Sequence, residues 1–305
     1  MSLQLTILGC HSATPRVNAH PTSQLLKIKN HHFLIDCGEG TQVQMRRYKV
    51  GFSKIKHIFI SHLHGDHFFG LIGLISTFGL LNRETNLHIY GPKGLREMIE
   101  LQLEVSQTRV AYKIVFHELT SLASELIFED KNVMVKTIPL KHRVYTNGFL
   151  FQEKKALRKL NIKVVETYPE IEVCDYHNLK KGKDFIQKDG TPIKNEVLTV
   201  DPPKPLSYAY CSDTSYHPKV VDIIKESDLL YHETTFLEDR FELAKKTGHS
   251  TALQAGKIAK AAQVKILIIG HYSNRYKDLS EFQKEAQKEF QNTLLGIEGR
   301  TFEVS

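Results

Sequence analysis

Residues 57–74 read HIFISHLHGDHFFGLIGL, and this stretch determines the fold that we expect. Its apolar start, residues 58–60, has the length and composition of a buried strand. Apolar residues then recur over 68–75 at the spacing of one helix face. Between these two parts lie four side chains of the kind that bind metal ions: His62, His64, Asp66 and His67.

The spacing of these four residues suggests two neighbouring metal ions. In an extended segment, residues i and i+2 point the same way, so His62 and His64 can hold one ion together. Asp66 and His67 follow where the chain turns into the helix, and they can face a second ion. Nitrogen and oxygen ligands without thiolates suit Zn²⁺, or Mn²⁺ and similar ions. The pattern H-x-H-x-D-H resembles the signature of the metallo-β-lactamase superfamily.

Metal-type residues follow predicted strands at five places along the chain. These residues are His62 with His64, His142, Asp213, His232 with Glu233, and His271. A rigid sheet can present a site at the ends of its neighbouring strands. Seven candidates suffice for two ions with open positions: His62, His64, Asp66, His67, His142, Asp213 and His271. A single carboxylate, that of Asp213, can bridge both ions.

Composition describes an ordinary globular chain. The 305 residues are 41% hydrophobic and 25% charged, which allows one large domain or two small ones with a substantial core. The net charge of +7 is compatible with a polyanionic partner and does not demonstrate one. The four cysteines form no C-x-x-C pair, so neither a disulfide framework nor a thiolate zinc site is expected.

The sequence carries no membrane signal. The first residues, MSLQLTILGC, enter strand-like alternation without a basic segment and a long apolar segment. No apolar run approaches the roughly 18–20 residues that a membrane span requires. We therefore expect a soluble cytoplasmic protein without a membrane partner.

Strands and helices succeed one another in mixed order, which predicts the α/β class. Helices are expected at 41–48, Leu95–Val105, 252–262 and 279–294, and a closing strand at Thr301–Val304. The segment Glu153–Pro205 has 11 basic and 9 acidic residues and little apolar periodicity. We interpret it as an insertion that projects from the core. It can be a structural excursion, a dimer element or an arm whose lysines contact phosphates.

Several further motifs resemble the ribonuclease Z family, the tRNA 3′-processing endonucleases of the metallo-β-lactamase superfamily. They are DCGEGTQVQ at 36–44, SHLHGDHFFGL at 61–71, PLKH at 139–142, CSDT at 211–214, HETT at 232–235, GHST at 248–251 and GHYSNRY at 270–276. The resemblance covers nearly the whole chain. It implies one domain over 1–305 with the four-layer αβ/βα sandwich, and an inserted arm at Glu153–Pro205 that clamps the elbow of precursor tRNA. It also implies a homodimer.

The resemblance assigns roles to the candidate residues. One ion would be held by the positions of His62, His64, His142 and Asp213, and the other by those of Asp66, His67, Asp213 and His271. We expect two Zn²⁺ per subunit, with Mn²⁺ or a similar ion as the alternative. Asp66 takes the role of proton acceptor in the family.

The expected reaction is in-line attack of a metal-activated hydroxide on phosphorus, which leaves a 3′-hydroxyl on the tRNA and a 5′-phosphate on the trailer. His249 is our candidate proton donor to the leaving oxygen, with Glu233 holding its other nitrogen. A purely structural Glu233–His249 pair is the alternative for these two residues.

Two other functions compete with the tRNA endonuclease. A small-molecule phosphodiesterase, thioesterase or lactamase of the same fold would not need the long arm. A nucleic-acid-binding module with structural metals is disfavoured, because closed structural zinc sites normally use four ligands, often cysteines.

Overall fold

A computed structural model describes residues 2–14 and 16–305. The chain divides into two compact units, one formed by residues up to Gln152 together with Leu206–Ser305, and the other by Glu153–Pro205. Among the described residues, no helix combines the length and the apolar character needed to cross a membrane.

The described residues form 18 strands and 11 α-helices. The strands are β1 (Leu3–Gly9), β2 (Ser23–Ile28), β3 (His31–Ile35), β4 (Ile55–Phe59), β5 (Leu87–Pro92), β6 (Ile114–Leu119), β7 (Leu126–Glu129), β8 (Val133–Pro139), β9 (Asn147–Glu153), β10 (Lys159–Leu160), β11 (Phe185–Ile186), β12 (Pro192–Ile193), β13 (Thr199–Val200), β14 (Ser207–Cys211), β15 (Leu229–Glu233), β16 (Ile266–Gly270), β17 (Thr293–Leu295) and β18 (Thr301–Val304). The helices are α1 (Thr41–Arg47), α2 (Gly65–Phe68), α3 (Leu71–Leu80), α4 (Leu95–Val105), α5 (Ile162–Val165), α6 (Tyr176–Lys180), α7 (Asn195–Leu198), α8 (Val221–Ile224), α9 (Phe241–Thr247), α10 (Ala252–Ala261) and α11 (Ser280–Gln287).

Two seven-stranded sheets organise the first unit over the described residues. The first has the strand order β18-β1-β2-β3-β4-β5-β6, and the second has the order β17-β16-β15-β14-β9-β8-β7. Strands β3 to β6 run parallel to one another, and so do β14 to β17. In each sheet the carboxyl ends of the parallel strands therefore meet at one edge, where ligand sites of α/β sheets form.

Aromatic side chains join the facing sides of the two sheets. The ring of Phe33 on β3 lies 5.3 Å from that of Phe151 on β9. Phe59 on β4 lies 5.3 Å from Phe149 and 5.2 Å from Phe151. All four rings are fully buried. This contact makes the space between the sheets the main core of the unit.

Helices cover the outer face of each sheet. Successive residues of a strand point to opposite faces, so Phe33 packs in the core between the sheets while Leu34 joins a second cluster with residues of α1, α3 and α4. Residues of α8, α10 and α11 pack against the second sheet. The resulting order of helices, sheet, sheet and helices confirms the expected four-layer α/β sandwich.

The second unit has a small core of its own. Its strands form two short antiparallel pairs, β10 with β13 and β11 with β12. Five buried apolar residues hold it together: Val165, Ile171, Leu179, Ile193 and Leu198. Lys180, Lys181 and Lys183 are exposed on this unit.

One of the predicted helices differs from the structure. The helix expected over 279–294 ends at Gln287, and residues 293–295 instead form β17, which pairs with β16. The prediction was wrong there because pairing with the neighbouring strand outweighs local helix preference. Helix α4 and strand β18 have the predicted bounds, and Thr251 caps α10 by accepting a hydrogen bond from the Gln254 backbone N–H.

Candidate metal centre

The seven predicted ligands come together at one edge of the two sheets. His62 and His64 follow β4, and Asp66 and His67 lie on the short helix α2. His142, Asp213 and His271 follow β8, β14 and β16 respectively. Each side chain thus stands at or just beyond the end of a rigid element, which fixes its position.

Three histidines and one carboxylate form the first group. The Nε2 of His62 lies 3.0 Å from the Nδ1 of His64, and the Nε2 of His142 lies 3.3 Å from that same Nδ1. Asp213 Oδ2 lies 3.5 Å from His62 Nε2 and 3.8 Å from His142 Nε2. One potential ligand atom from each of the four residues lies within 4.8 Å of all the others.

The second group uses the other oxygen of Asp213. Its Oδ1 lies 3.2 Å from His67 Nε2 and 3.2 Å from His271 Nε2. Asp66 Oδ2 lies 3.5 Å from His67 Nε2 and 3.3 Å from His271 Nε2. Asp213 therefore stands between the groups with one oxygen toward each, as the position of a bridging carboxylate requires.

Hydrogen bonds from Nδ1 orient the ligand rings. Asp36 Oδ2 accepts a hydrogen bond from His67 Nδ1 at 2.7 Å, and Ser61 Oγ accepts one from His62 Nδ1 at 3.0 Å. Ser61 Oγ and the Tyr210 hydroxyl in turn donate to Asp36 Oδ2. With the proton fixed on Nδ1, the Nε2 of each ring keeps its lone pair directed into the cluster.

The same arrangement holds for two further rings. His142 Nδ1 donates to the Gly248 carbonyl at 2.7 Å, and His271 Nδ1 donates to Thr235 Oγ1 at 2.8 Å. The Thr235 hydroxyl donates to Glu233 Oε2 at 2.7 Å. Sequence reasoning assigned no role to Asp36, Ser61 or Thr235. The available signals were an acidic residue directly after a buried strand for Asp36 and the hydroxyl of the HETT motif for Thr235.

The buried Glu233 and the partly buried His249 form a pair beside the cluster. Glu233 Oε1 accepts a hydrogen bond from His249 Nδ1 at 2.9 Å, and backbone N–H groups of Thr214, Thr235 and Ser250 also donate to this carboxylate. Burial alone would lower the pKa of His249, but the charge and the hydrogen bond of Glu233 raise it to about 9. His249 therefore carries its proton at neutral pH.

The donor set fits a pair of metal ions. His67 Nε2 is buried and has no hydrogen-bond partner among the residues that the structure describes. A buried polar atom without a partner is costly, and a metal ion would satisfy it. Burial would raise the pKa of Asp213, but the surrounding histidines hold that pKa well below its usual range. The carboxylate therefore stays ionised, as a metal ligand must be.

Three residues at this edge are among the ten described residues other than glycine that have a positive φ. Asp36, Asp213 and His271 have φ values of 53°, 23° and 62°, in the left-handed region that residues with a side chain rarely adopt. Such strain persists when the surrounding structure holds the residue in place, and it concentrates at functional sites. His232, the other strand-end histidine of the sequence analysis, lies outside both ligand groups, and its Nδ1 contacts the Glu233 carbonyl at 2.8 Å.

A cavity of about 870 Å³ opens onto this cluster. His64, Asp66, Asp213, His249 and His271 line it. Three arginines also line it: Arg16, Arg143 and Arg275. A cavity that joins carboxylates and imidazoles to guanidinium groups suits a phosphate-bearing substrate.

The four-layer sandwich with this cluster at its edge defines a metal-dependent hydrolase of the metallo-β-lactamase fold. Solved structures agree: the chain superposes on the metallo-β-lactamase fold protein YhfI from Bacillus subtilis with a TM-score of 0.69, 19% identity and full coverage of both chains. It superposes on the short form of human tRNase Z with a TM-score of 0.72 and 27% identity, over 98% of both chains.

Sequence comparison gives the family. The chain is 46% identical to a protein named ribonuclease Z from Bacteroides fragilis strain YCH46, over 97% of both sequences. A sequence model of the family described as anti-Pycsar protein Apyc1 matches residues 3–158. The chain belongs to the ribonuclease Z family, and its residues 3–158 belong as well to the Apyc1 family. The family expected from the sequence motifs is thereby confirmed.

Proposed function

We propose that this protein is an endoribonuclease that removes the 3′ trailer from precursor tRNA, leaving a 3′-hydroxyl on the tRNA and a 5′-phosphate on the trailer. The observation that carries this proposal is the end-to-end match to proteins named ribonuclease Z, since many hydrolases of this fold share a similar metal cluster. The likeness to human tRNase Z supports the same substrate class.

Two metal ions would occupy the cluster in each subunit. His62, His64 and His142 would hold one, Asp66, His67 and His271 would hold the other, and Asp213 would bridge them. Nitrogen and oxygen donors favour Zn²⁺, with Mn²⁺ as the alternative. Bound there, the pair would supply positive charge for the phosphate oxygens and lower the pKa of a water molecule.

Asp66 would orient the attacking water and take up its proton. Burial would raise the pKa of Asp66, but His67 and a hydrogen bond with His271 hold it well below its usual range. The carboxylate is therefore ionised over the whole neutral range. It accepts hydrogen bonds in that form and points a lone pair of the water toward phosphorus.

His249 would protonate the leaving group. Its Nδ1 donates a hydrogen bond to Glu233, so Nε2 is the nitrogen that can donate to a substrate in the cavity. As the bond from phosphorus to the tRNA 3′-oxygen breaks, the proton on Nε2 moves to that oxygen and the tRNA leaves with a 3′-hydroxyl. Glu233 acts as a positioning residue, because it holds the ring and keeps it protonated.

The unit Glu153–Pro205 would serve as the arm that grips the tRNA. Its exposed lysines, Lys180, Lys181 and Lys183, are suited to sequence-independent contacts with phosphates. We further propose that the enzyme is a homodimer, as the family resemblance implies, and that it acts in the cytoplasm.

The decisive experiment is a cleavage assay on a 3′-extended precursor tRNA with the cut mapped to the nucleotide. We expect cleavage just after the discriminator base, lost on chelation and restored by Zn²⁺ or Mn²⁺. If the precursor stays uncut while bis(p-nitrophenyl) phosphate is hydrolysed, the function is that of a small-molecule phosphodiesterase of the same fold.

A further inference from the structure

Phe69 is an exposed aromatic residue in the wall of the cavity that opens onto the metal-type cluster. It is 60% exposed, and among the large apolar side chains that the described chain exposes, it is the one that lines this cavity. Isolated exposed apolar residues are common on protein surfaces and require no explanation. An exposed ring in the wall of a polar cavity is different, because a ligand that packs on it removes its apolar area from water.

The ring is held in place before any ligand arrives. The Phe69 backbone N–H donates to the Gly65 carbonyl at 3.0 Å, and the next N–H, that of Gly70, donates to the Cys37 carbonyl at 2.9 Å. The ring lies against Gly65 so closely that a Cβ there would be 2.2 Å from its Cε2. Its centroid is 5.0 Å from that of Phe68. A rigid aromatic side chain loses little entropy when a ligand packs on it.

Phe69 lies close to Asp66 of the metal-type cluster, where the reacting phosphate would bind. It follows Asp66 by three residues, a spacing that on a helix sets the Cβ atoms about 5–6 Å apart. Arg16, Arg143 and Arg275 line the same cavity. The cavity therefore offers the cluster for a phosphate under attack, guanidinium groups for neighbouring phosphates, and one exposed phenylalanine ring.

We propose that Phe69 stacks on the nucleobase next to the scissile phosphate and so positions the single-stranded 3′ end for cleavage. The ligand class is an unpaired nucleotide, and no hydrogen-bonding groups of the base are required, because every base presents a π face. This inference rests on the proposed function and deepens it by naming the residue that holds the reacting nucleotide.

The test compares Phe69→Ala with the wild-type protein on a 3′-extended precursor tRNA. Because stacking is lost, kcat/KM should fall by roughly 5- to 150-fold, mainly through KM, with metal content unchanged. Phe69→Tyr should retain most of the activity, while Phe69→Leu should behave like the alanine variant, since leucine keeps apolar area and cannot stack. Leu101→Ala is the matched control, because Leu101 is also 60% exposed and lies outside the cavity lining.

Abasic substrates make the test specific to stacking. Two precursors carry an abasic nucleotide on one or the other side of the cut. On the precursor that lacks the base on which Phe69 stacks, the wild-type protein and Phe69→Ala should have equal kcat/KM. The inference is overturned if Phe69→Ala or Phe69→Leu cleaves the normal precursor as well as wild type does. It is also overturned if the loss in Phe69→Ala persists on both abasic substrates. If the wild-type protein itself leaves the precursor uncut, the proposed function fails and this inference fails with it.

Discussion

Replacing Glu233 by glutamine would remove the negative charge beside His249 and keep nearly the same side-chain volume. The pKa of His249 is raised to about 9 against the opposing effect of burial, chiefly by Glu233, with Asp213 and Asp66 adding to the effect. The protonated ring is the proton donor, so the cleavage rate of the wild-type enzyme should fall as pH rises through about 9. Without the carboxylate, the pKa should drop to the ordinary histidine value of about 6.5 or below. At pH 8 the protonated fraction, and with it the rate, should then be roughly 30-fold lower.

The assay is single-turnover cleavage of precursor tRNA over a range of pH from weakly acidic to strongly alkaline. The descending limb of the profile should move to lower pH by two or more units in Glu233→Gln. His249→Ala should remove the limb and slow cleavage by roughly 10²- to 10⁴-fold with both metal ions retained. Glu238→Gln is the matched control, since the Glu238 carboxylate accepts from Thr251 at the start of α10 and lies outside the cavity lining.

Two outcomes would refute this reasoning. If the profiles of Glu233→Gln and wild type superimpose, Glu233 does not set the protonation of His249. If His249→Ala loses metal, His249 is a ligand and not a donor. That second outcome is a real alternative, because Asp213, His249 and His271 also have ligand atoms within 4.8 Å of one another.

Four further predictions test other parts of the structure. Asp66→Ala should reduce cleavage to near background while the circular dichroism spectrum and melting temperature stay close to wild type; near-normal turnover would contradict its role. Asp213→Asn should lower the metal content to one ion or fewer per chain, and an undiminished content would show that Asp213 does not bridge. Replacing Glu153–Pro205 by an Asn-Gly turn should abolish tRNA cleavage and preserve hydrolysis of bis(p-nitrophenyl) phosphate, since the flanking Gln152 and Ser207 are partners across β9 and β14; equal loss of both activities would contradict a tRNA-specific arm. Phe151→Ala should lower the free energy of unfolding in urea by about 3–5 kcal/mol, because its buried ring packs against Phe33 and Phe59; a loss below about 1 kcal/mol would show that the core relaxes around the cavity.

The residues of the metal-type cluster could be named from the sequence because each carries a local signal. His62, His142, Asp213 and His271 follow apolar runs of strand length, and a polar residue of metal-binding type at that point is recognisable without knowledge of the fold. The pairing of strands was not needed to name them. Strand pairing is needed only to bring these residues together. The ends of parallel strands meet at one edge of a sheet whatever the order of the strands.

Asp36 carries the same local signal, but the ring that it orients could not be identified in this way. Asp36 reaches His67 because β3 lies beside β4 in parallel, with Ile35 opposite Phe59. A shift of that register by one residue would turn every side chain of β3 to the other face. Register depends on packing across the sheet, and the sequence of β3 alone does not determine it. The same limit explains β17, whose residues follow their pairing with β16 and not their helix-like pattern.

The residues of the metal-type cluster and the residues proposed to bind the RNA lie in different parts of the structure. The cluster is held by rigid strands and by hydrogen bonds that its histidines donate to buried groups such as Asp36 and Thr235, so its geometry is as rigid as the core. The side chains assigned here to the substrate lie elsewhere, with Phe69 just beyond a short helix and the lysines in the unit Glu153–Pro205. Substitutions in the second set should therefore change which RNA is cut and how tightly it binds, while the rate on a small phosphodiester stays constant. Substitutions in the first set should lower both activities in proportion, because both pass through the same phosphate site.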